Sequence, residues 1–202
     1  MPDFSHEIAH SGLVAGVDEA GRGPLSGPVI AAAVIYRCKS FDKEFLKKID
    51  DSKKLKPEER QYLVSKIRKH GLTGIGAASV KEIESYNILN ATMLAMRRAV
   101  LALPKTPSLA LIDGNKAPTL PCPTKTIIKG DTLSISIASA SILAKVYRDN
   151  VMKALDRRYP DYGWAKNAGY GTRQHLEALE SRGITPHHRK LFSPVNKILS
   201  HS

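Results

Sequence analysis

Cysteine is almost missing from this chain. Cys38 and Cys122 are the only two in 202 residues, and they stand far apart. A disulfide framework is therefore excluded, and so is a thiolate metal site, whose ligands come in closely spaced pairs. The expectation is a cytoplasmic protein with reduced thiols. No uninterrupted apolar run reaches the ~18 residues of a membrane span. The start, Met1-Pro2-Asp3-Phe4-Ser5-His6-Glu7, lacks the basic-then-apolar order of a signal peptide. No stretch pairs a strong apolar face with a basic one, as a membrane-surface helix does. No internal repeat, low-complexity tract or linker is visible. Acids are the other shortage. There are 19 Asp and Glu against 31 Lys and Arg, a net charge of +12. Such an excess favours polyanionic partners. Hydrophobic residues still make up 42%, so the chain is expected to be globular.

Where the scarce acids sit is more informative than their number. Gly16-Val17-Asp18-Glu19-Ala20-Gly21-Arg22-Gly23-Pro24 follows the apolar stretch that begins at Leu13. Adjacent acids at a strand end point to opposite sides of the backbone, and glycines admit a close backbone approach. The segment reads as a metal site beside a nucleic-acid backbone contact. Asp113 closes a second apolar stretch, Leu109-Ala110-Leu111-Ile112, and Asp131 follows a third, Thr126-Ile127-Ile128. Taken singly, Asp113 fits a turn aspartate in Asp-Gly and Asp131 fits a helix N-cap. Taken together, carboxylates at three strand ends would repel one another unless a cation sits among them. Oxygen ligands select Mg²⁺ or Mn²⁺. Two such ions ~4 Å apart suit phosphodiester hydrolysis. No serine, cysteine or histidine nucleophile is required.

The spacing predicts strands over Leu13–Val17, Val29–Tyr36, Gly74–Ala78, Leu109–Ile112 and Thr126–Ile128. The first two are joined by a short Gly/Pro turn and are expected to pair antiparallel. Val29–Tyr36 does not alternate, so it is expected to be buried on both faces. Helices are predicted from Pro57 to Gly71, from Asn87 to Leu103, from Ser134 to Arg158 and from Thr172 to Ser181. Ser79 and Glu82 have capping-box spacing. Asp51-Ser52-Lys53-Lys54-Leu55-Lys56 reads as a polar loop. The pattern predicts one mixed-sheet α/β domain over 1–202, with a helical C-terminal part from about 160 onward.

These segments, in this order, resemble the bacterial ribonuclease HII family. The matching pieces are Gly16 to Pro24, Asp51-Ser52-Lys53-Lys54-Leu55, Leu111-Ile112-Asp113-Gly114-Asn115 and Lys129-Gly130-Asp131. Ala140 to Asp149, Gly169-Tyr170-Gly171-Thr172 and His187 to Phe192 complete the set. The resemblance implies a ribonuclease H-like fold, with a central mixed sheet flanked by helices. It implies cleavage of the RNA strand of RNA–DNA hybrids and cleavage 5′ to a single ribonucleotide in duplex DNA, leaving a 3′-hydroxyl and a 5′-phosphate. By position, Asp18, Glu19, Asp113 and Asp131 are implied to be the catalytic, metal-binding acids, with Mg²⁺ or Mn²⁺. Gly21, Arg22 and Gly23 are implied to approach the ribonucleotide, Tyr170 to pack on the next deoxyribose, and Lys53 to contact phosphate. Related enzymes of this size act as monomers.

Two departures stand out. Where the family often has Ser-Ala-Ala-Ser, this chain has Ala138-Ser139-Ala140-Ser141, which puts a phosphate contact by Ser139 in doubt. The family's Gly-Tyr-Pro-Thr is Gly169-Tyr170-Gly171-Thr172 here. By helical periodicity alone Asp149 reads as a helix-surface ion pair with a nearby arginine, and it ranks below the four acids as a metal ligand. The sister family ribonuclease HIII usually carries an extra N-terminal domain, for which about a dozen residues before the first strand leave no room. A non-catalytic nucleic-acid-binding module would explain the charge but not the acids. A small-molecule phosphatase would be expected to show a compact phosphate motif, and none is seen.

Overall fold

A computed structural model describes residues 1–37, 43–49 and 56–200. Among them the element order is α1 (Ser5–Ile8), β1 (Val14–Ala20), β2 (Val29–Tyr36), α2 (Lys43–Lys48), α3 (Pro57–His70), β3 (Gly71–Ala78), α4 (Val80–Leu101), β4 (Leu109–Asp113), β5 (Thr124–Ile127), α5 (Ile135–Arg158), α6 (Trp164–Asn167), α7 (Arg173–Arg182) and α8 (Val195–Ser200). The strands form one five-stranded sheet in the order β3-β2-β1-β4-β5. β1, β2 and β3 are antiparallel, and β4 and β5 run parallel to β1. This is the expected mixed α/β sheet, and β1 and β2 pair as predicted.

The uniform apolarity of β2 has a simple cause. Ala31, Ala33 and Ile35 pack with Ala91, Ala95 and Ala99 of α4 on one face. Ala32, Val34 and Tyr36 pack with Leu63 and Ile67 of α3 and Ala138 and Leu143 of α5 on the other. Successive side chains of a strand face opposite sides, so a central strand covered on both must be apolar throughout. The helices lie close because the strands yield volume. A Cβ on Gly16 would stand 2.2 Å from the backbone of Ser136 and Ile137, so α5 crosses β1 nearly in backbone contact.

One predicted helix start differs from the structure in an instructive way, and another agrees with it. The Ser79 capping box is real: Ser79 Oγ accepts from the Glu82 N–H, and Glu82 accepts from the Ser79 N–H at 2.8 Å. α4 therefore begins at Val80, before Asn87. Asn87 is a break inside it, with φ 65, and its side chain accepts from the N–H groups of Leu89 and Asn90. The predicted start at Asn87 is thus the cap of the second half. At α5 the N-cap is Ser134, which accepts from Ile137 N–H. Asp131 is consequently not a cap and lies in a short 3-10 turn, Gly130–Thr132.

The C-terminal elements gather round Trp164, which is fully buried with Leu25, Met152, Leu179 and Val195. Two buried histidines bind this region through one directed chain. Thr185 N–H donates to His188 Nδ1 at 2.9 Å, so the His188 proton sits on Nε2. That N–H faces His175 Nε2 at 3.0 Å, whose single lone pair it shares with the Trp164 Nε1–H donor at 3.1 Å. His175 Nδ1 then donates to the Tyr170 carbonyl at 2.9 Å. The chain works only with both rings neutral. Burial, followed by the neighbouring His175, pushes His188 down to about 3.

A histidine depressed in the folded state takes up its proton more readily when unfolded. It contributes stability that is present above the unfolded value of ~6.5 and is lost as pH falls from there toward the folded value. The thermal midpoint is therefore expected to fall between about pH 6.5 and pH 4, with a shallower slope in His188→Gln than in the parent. Equal slopes would remove His188 as the source.

Candidate active site

The sheet register brings the first acids together. β1 and β4 are parallel, with Val17 opposite Ile112. One step along both strands, Asp18 comes beside Asp113, the last residue of β4. Asp18 and Glu19 are not in a loop. β1 continues to Ala20, and both acids pair with β2, at Ala32 and Ala31. Asp113 Oδ1 accepts from the Gly130 N–H at 2.7 Å, which ties the end of β4 to the turn carrying Asp131. Lys129, with φ 56, turns the chain sharply into that segment.

Asp18, Glu19, Asp113 and Asp131 line one cavity of about 540 Å³. Adjacent positions on a strand face opposite ways, yet both Asp18 and Glu19 reach this cavity, because it lies at the strand ends rather than on one face of the sheet. Gly21, Arg22, Gly23 and Tyr170 line the same space. Tyr170 is half exposed, and a Cβ on Gly23 would lie 3.5 Å from its ring, so the ring rests against a bare backbone. Arg22 reaches Glu19 at 3.5 Å, and half of its side-chain surface stays exposed. Lys53 lies outside the described residues.

The electrostatics are those of crowded acids. Asp18 is held well above the usual carboxylate range, first by burial, then by Glu19 and Asp113. A hydrogen bond from Ser141 and one from the Glu19 N–H, at 2.7 Å, work against that rise. Glu19 is also raised by burial, with Arg22 opposing. Each acid thus feels Asp113, and a divalent cation among them would remove the conflict. Among the described residues, no three His, Cys, Asp or Glu side chains close round a point tightly enough to hold an ion by themselves. Carboxylate oxygens are the ligands a Mg²⁺-type ion takes, in a shell shared with water and substrate phosphate. The acids fit such an ion.

Several cavity residues were not singled out from the sequence. Ser141, Lys145 and Arg148 line it from α5. Their spacing, i, i+4, i+7, puts them on one face of an otherwise apolar half-helix, and that is the signal that marks them. Arg60 of α3 also lines the cavity and carries no such signal. Ser139 does not reach the site. It is buried, donates to the Ile135 carbonyl at 2.7 Å and meets the Tyr36 hydroxyl at 2.8 Å. The doubt about Ser139 is thereby resolved, with Ser141 in the position facing Asp18. Asp149 is ion-paired as expected but not with an adjacent arginine: it takes Lys145 at 2.7 Å and Arg60 at 3.8 Å, both cavity residues.

Comparison with known proteins agrees with this geometry. The family model described as Ribonuclease HII matches residues 15–195. The Ribonuclease HII of Paramagnetospirillum magneticum is 51% identical over 195 residues, covering 96% of this chain and 97% of its own. The crystal structure of ribonuclease H2 from Pyrococcus horikoshii superposes with a TM-score of 0.77 at 26% identity, covering 94% of this chain and 98% of that one. A crystal structure of Bst-RNase HIII in complex with Mn²⁺ shares the fold, with a TM-score of 0.70 at 19% identity over 94% of this chain and 70% of that one.

The raised pair Asp18 and Glu19 contributes stability that is full below the unfolded carboxylate range of ~4 and is lost as pH rises through the folded values. Without metal, the site is thus a destabilised spot at neutral and higher pH. Mg²⁺ or Mn²⁺ is expected to raise the thermal midpoint more at pH 8 than at pH 5. Metal-free Asp18→Asn is expected to melt a few degrees above the metal-free parent at pH 8 and to gain less from added metal. Differential scanning fluorimetry with EDTA and with each ion checks both. A metal response that does not depend on pH would count against the carboxylates as its origin.

Proposed function

The chain belongs to the ribonuclease HII family, and from that premise we propose that its cavity cuts 5′ to single ribonucleotides embedded in duplex DNA. It is a hydrolase, a ribonuclease of the ribonuclease H type, acting on RNA paired with DNA. The observation that carries the finer reading is the meeting of Asp18, Glu19, Asp113 and Asp131 in one cavity that also exposes Gly21, Arg22, Gly23 and Tyr170. A module that only bound nucleic acid would have no use for buried acids facing phosphates.

In this reading Asp18, Glu19, Asp113 and Asp131 hold Mg²⁺ or Mn²⁺, in a pair, which supplies activation of the attacking water and stabilisation of the departing 3′-oxygen. The protein's own part is placement. Ser141 and the Glu19 N–H orient the Asp18 carboxylate, and the Gly130 N–H orients Asp113. Water attacks the phosphorus 5′ to the ribonucleotide, and the bond to the neighbouring 3′-oxygen breaks. The ribonucleotide keeps the 5′-phosphate and the upstream strand ends in a 3′-hydroxyl.

The 2′-hydroxyl, donor and acceptor at once, is what separates the two sugars. Gly21, Arg22 and Gly23 meet it through backbone. Tyr170 packs against the deoxyribose that follows, and Lys145 and Arg60 add positive charge for neighbouring phosphates. Lys53 is assigned a further phosphate contact. Such a protein, a cytoplasmic monomer built as one domain, would serve ribonucleotide removal and primer removal. Among the described residues no helix is long and apolar enough to cross a membrane.

The test is a labelled DNA duplex containing one ribonucleotide, incubated with Mg²⁺, Mn²⁺ or EDTA beside an all-DNA duplex. One metal-dependent cut 5′ to the ribonucleotide is expected. Asp113→Asn is expected to lose more than the ~10–100-fold typical of changes in the groups that support metal ligands. Binding without cutting under every condition would replace the nuclease reading with a binding module. Affinity for the duplex is expected to fall as salt rises, in keeping with phosphate contacts.

A further inference from the structure

Two arginines grip the main chain of the loop that follows β1, and one of them, Arg148, is also among the residues that line the acid cavity. Arg189 and Arg148 are 0% and 2% exposed, and among the described residues neither forms an ion pair. Arg189 Nη1 donates to the Arg22 carbonyl at 2.8 Å, Nη2 to the Gly21 carbonyl at 2.6 Å, and Nε to the Gly27 carbonyl at 3.0 Å. Its own N–H donates to the Leu25 carbonyl at 2.8 Å. Arg148 donates to the carbonyls of Pro28, Ala168 and Ser26, at 3.1, 2.9 and 3.1 Å. Burying a guanidinium without a counter-ion is costly unless its donors are satisfied. Here they are satisfied by main-chain oxygens of the loop at 21–28 and of the turn before Tyr170. Neutral donors would close a loop at lower cost, so two cations in this place call for a reason.

The peptide plane supplies one. In a trans peptide the carbonyl of one residue and the N–H of the next point in opposite directions. With the Gly21 and Arg22 carbonyls drawn onto Arg189, the N–H groups of Arg22 and Gly23 point away from it. Gly21, Arg22 and Gly23 line the acid cavity, whereas Arg189 is not among its lining residues and is fully buried against the Gly21 and Arg22 carbonyls. Gly21 has φ +100, and a Cβ there would fall 1.9 Å from Arg148 Nε, so this backbone course exists only with glycine against the guanidinium. Successive N–H groups turned to one side make a concavity suited to oxygen acceptors. A cation on the carbonyl of a peptide also polarises it and strengthens its N–H as a donor.

We propose that Arg189, braced by Arg148, is a positioning residue for ribose recognition. It aims the Arg22 and Gly23 N–H groups into the cavity, where they meet the 2′-hydroxyl and the adjoining phosphate oxygen, without itself touching the substrate. The proposal rests on the ribonuclease reading above and extends it to two residues that lie outside the acid set.

The test uses Arg189→Lys. Lysine keeps the charge but cannot spread donors over the carbonyls of Gly21, Arg22 and Gly27 at once. In an Asp113→Asn background, so that nothing is cut, dissociation constants are measured for a duplex with one ribonucleotide and for the all-DNA duplex. The background protein is expected to prefer the ribonucleotide duplex. In Arg189→Lys that preference is expected to shrink by about tenfold, the equivalent of ~1.4 kcal/mol, with all-DNA affinity unchanged; with Asp113 restored, Arg189→Lys alone is expected to keep the metal-induced rise in melting temperature. A preference kept intact, or both affinities lost together, overturns the proposal.

Should Arg189→Lys fail to fold, the background protein itself decides. Its Arg22 and Gly23 amide resonances are expected to move with the ribonucleotide duplex and not with all-DNA. The Gly27 amide, which donates to the His187 carbonyl at 2.9 Å, serves as the control. Equal movement with both duplexes overturns the proposal. If the background protein shows no preference for the ribonucleotide duplex at all, the ribonuclease reading fails first and this proposal falls with it.

Discussion

The parallel pairing of β1 with β4 places like charges side by side, and much of the molecule is arranged round that conflict. The register that sets Val17 against Ile112 leaves no room for Asp18 and Asp113 to part. Glu19 adds a third acid one residue on. Hydrogen bonding to Ser141 and to the Gly130 N–H orients the carboxylates without neutralising them. The sheet provides the stiffness. β1 is a central strand, hydrogen-bonded on both sides and pressed against α5 at Gly16. A looser strand would relax and let the acids drift apart, so the same packing that stabilises the core maintains a locally unfavourable site. Functional sites commonly hold strain of this kind.

The opposite charge is kept nearby but apart. Arg148 and Arg189 are directed at carbonyl oxygens rather than at Asp18 or Glu19, so the acids stay available to a metal ion while the loop between the two sets of charge stays fixed. Asp149 does the corresponding service on the cavity wall by holding Lys145 and Arg60. The histidine chain from His188 through His175 ends on the carbonyl of Tyr170. The C-terminal elements thereby reach the site through backbone, while the acids come from the sheet and the turn after β5.

Local signals predicted well where they acted alone. The apolar run of β2, the Ser79 capping box and the two ends of α5 follow from burial on both faces, a reciprocal cap and a proline beyond the helix. The placement of the acids was legible because each follows an apolar stretch. Their convergence was not, since strand order and register are long-range facts that no spacing encodes. Asn87 shows a signal that was read in the right place with the wrong meaning: a cap inside a helix looks from sequence like a beginning. Ser139 and Ser141 differ by a turn of ~200° on the helix, and only the contact of α5 with Gly16 decides which one faces Asp18. In sequence Arg189 stands among other basic residues. Nothing in His187-His188-Arg189-Lys190 separates a buried guanidinium from an exposed one.

The grip of two guanidiniums on main-chain oxygens carries a consequence for how this protein can change. Carbonyls are common to every residue, so such a clamp is blind to side chains. Between Gly21 and Pro28 the constraint is space and backbone angle: Gly21 and Gly27, both at positive φ, lie under the arginines or Met152, and Leu25 packs into the C-terminal core. Arg22 is the exception, with its side chain half in solvent and its backbone already anchored. Mutation there leaves the loop its shape but removes the charge that opposes the rise at Glu19, so it changes the site without changing the backbone.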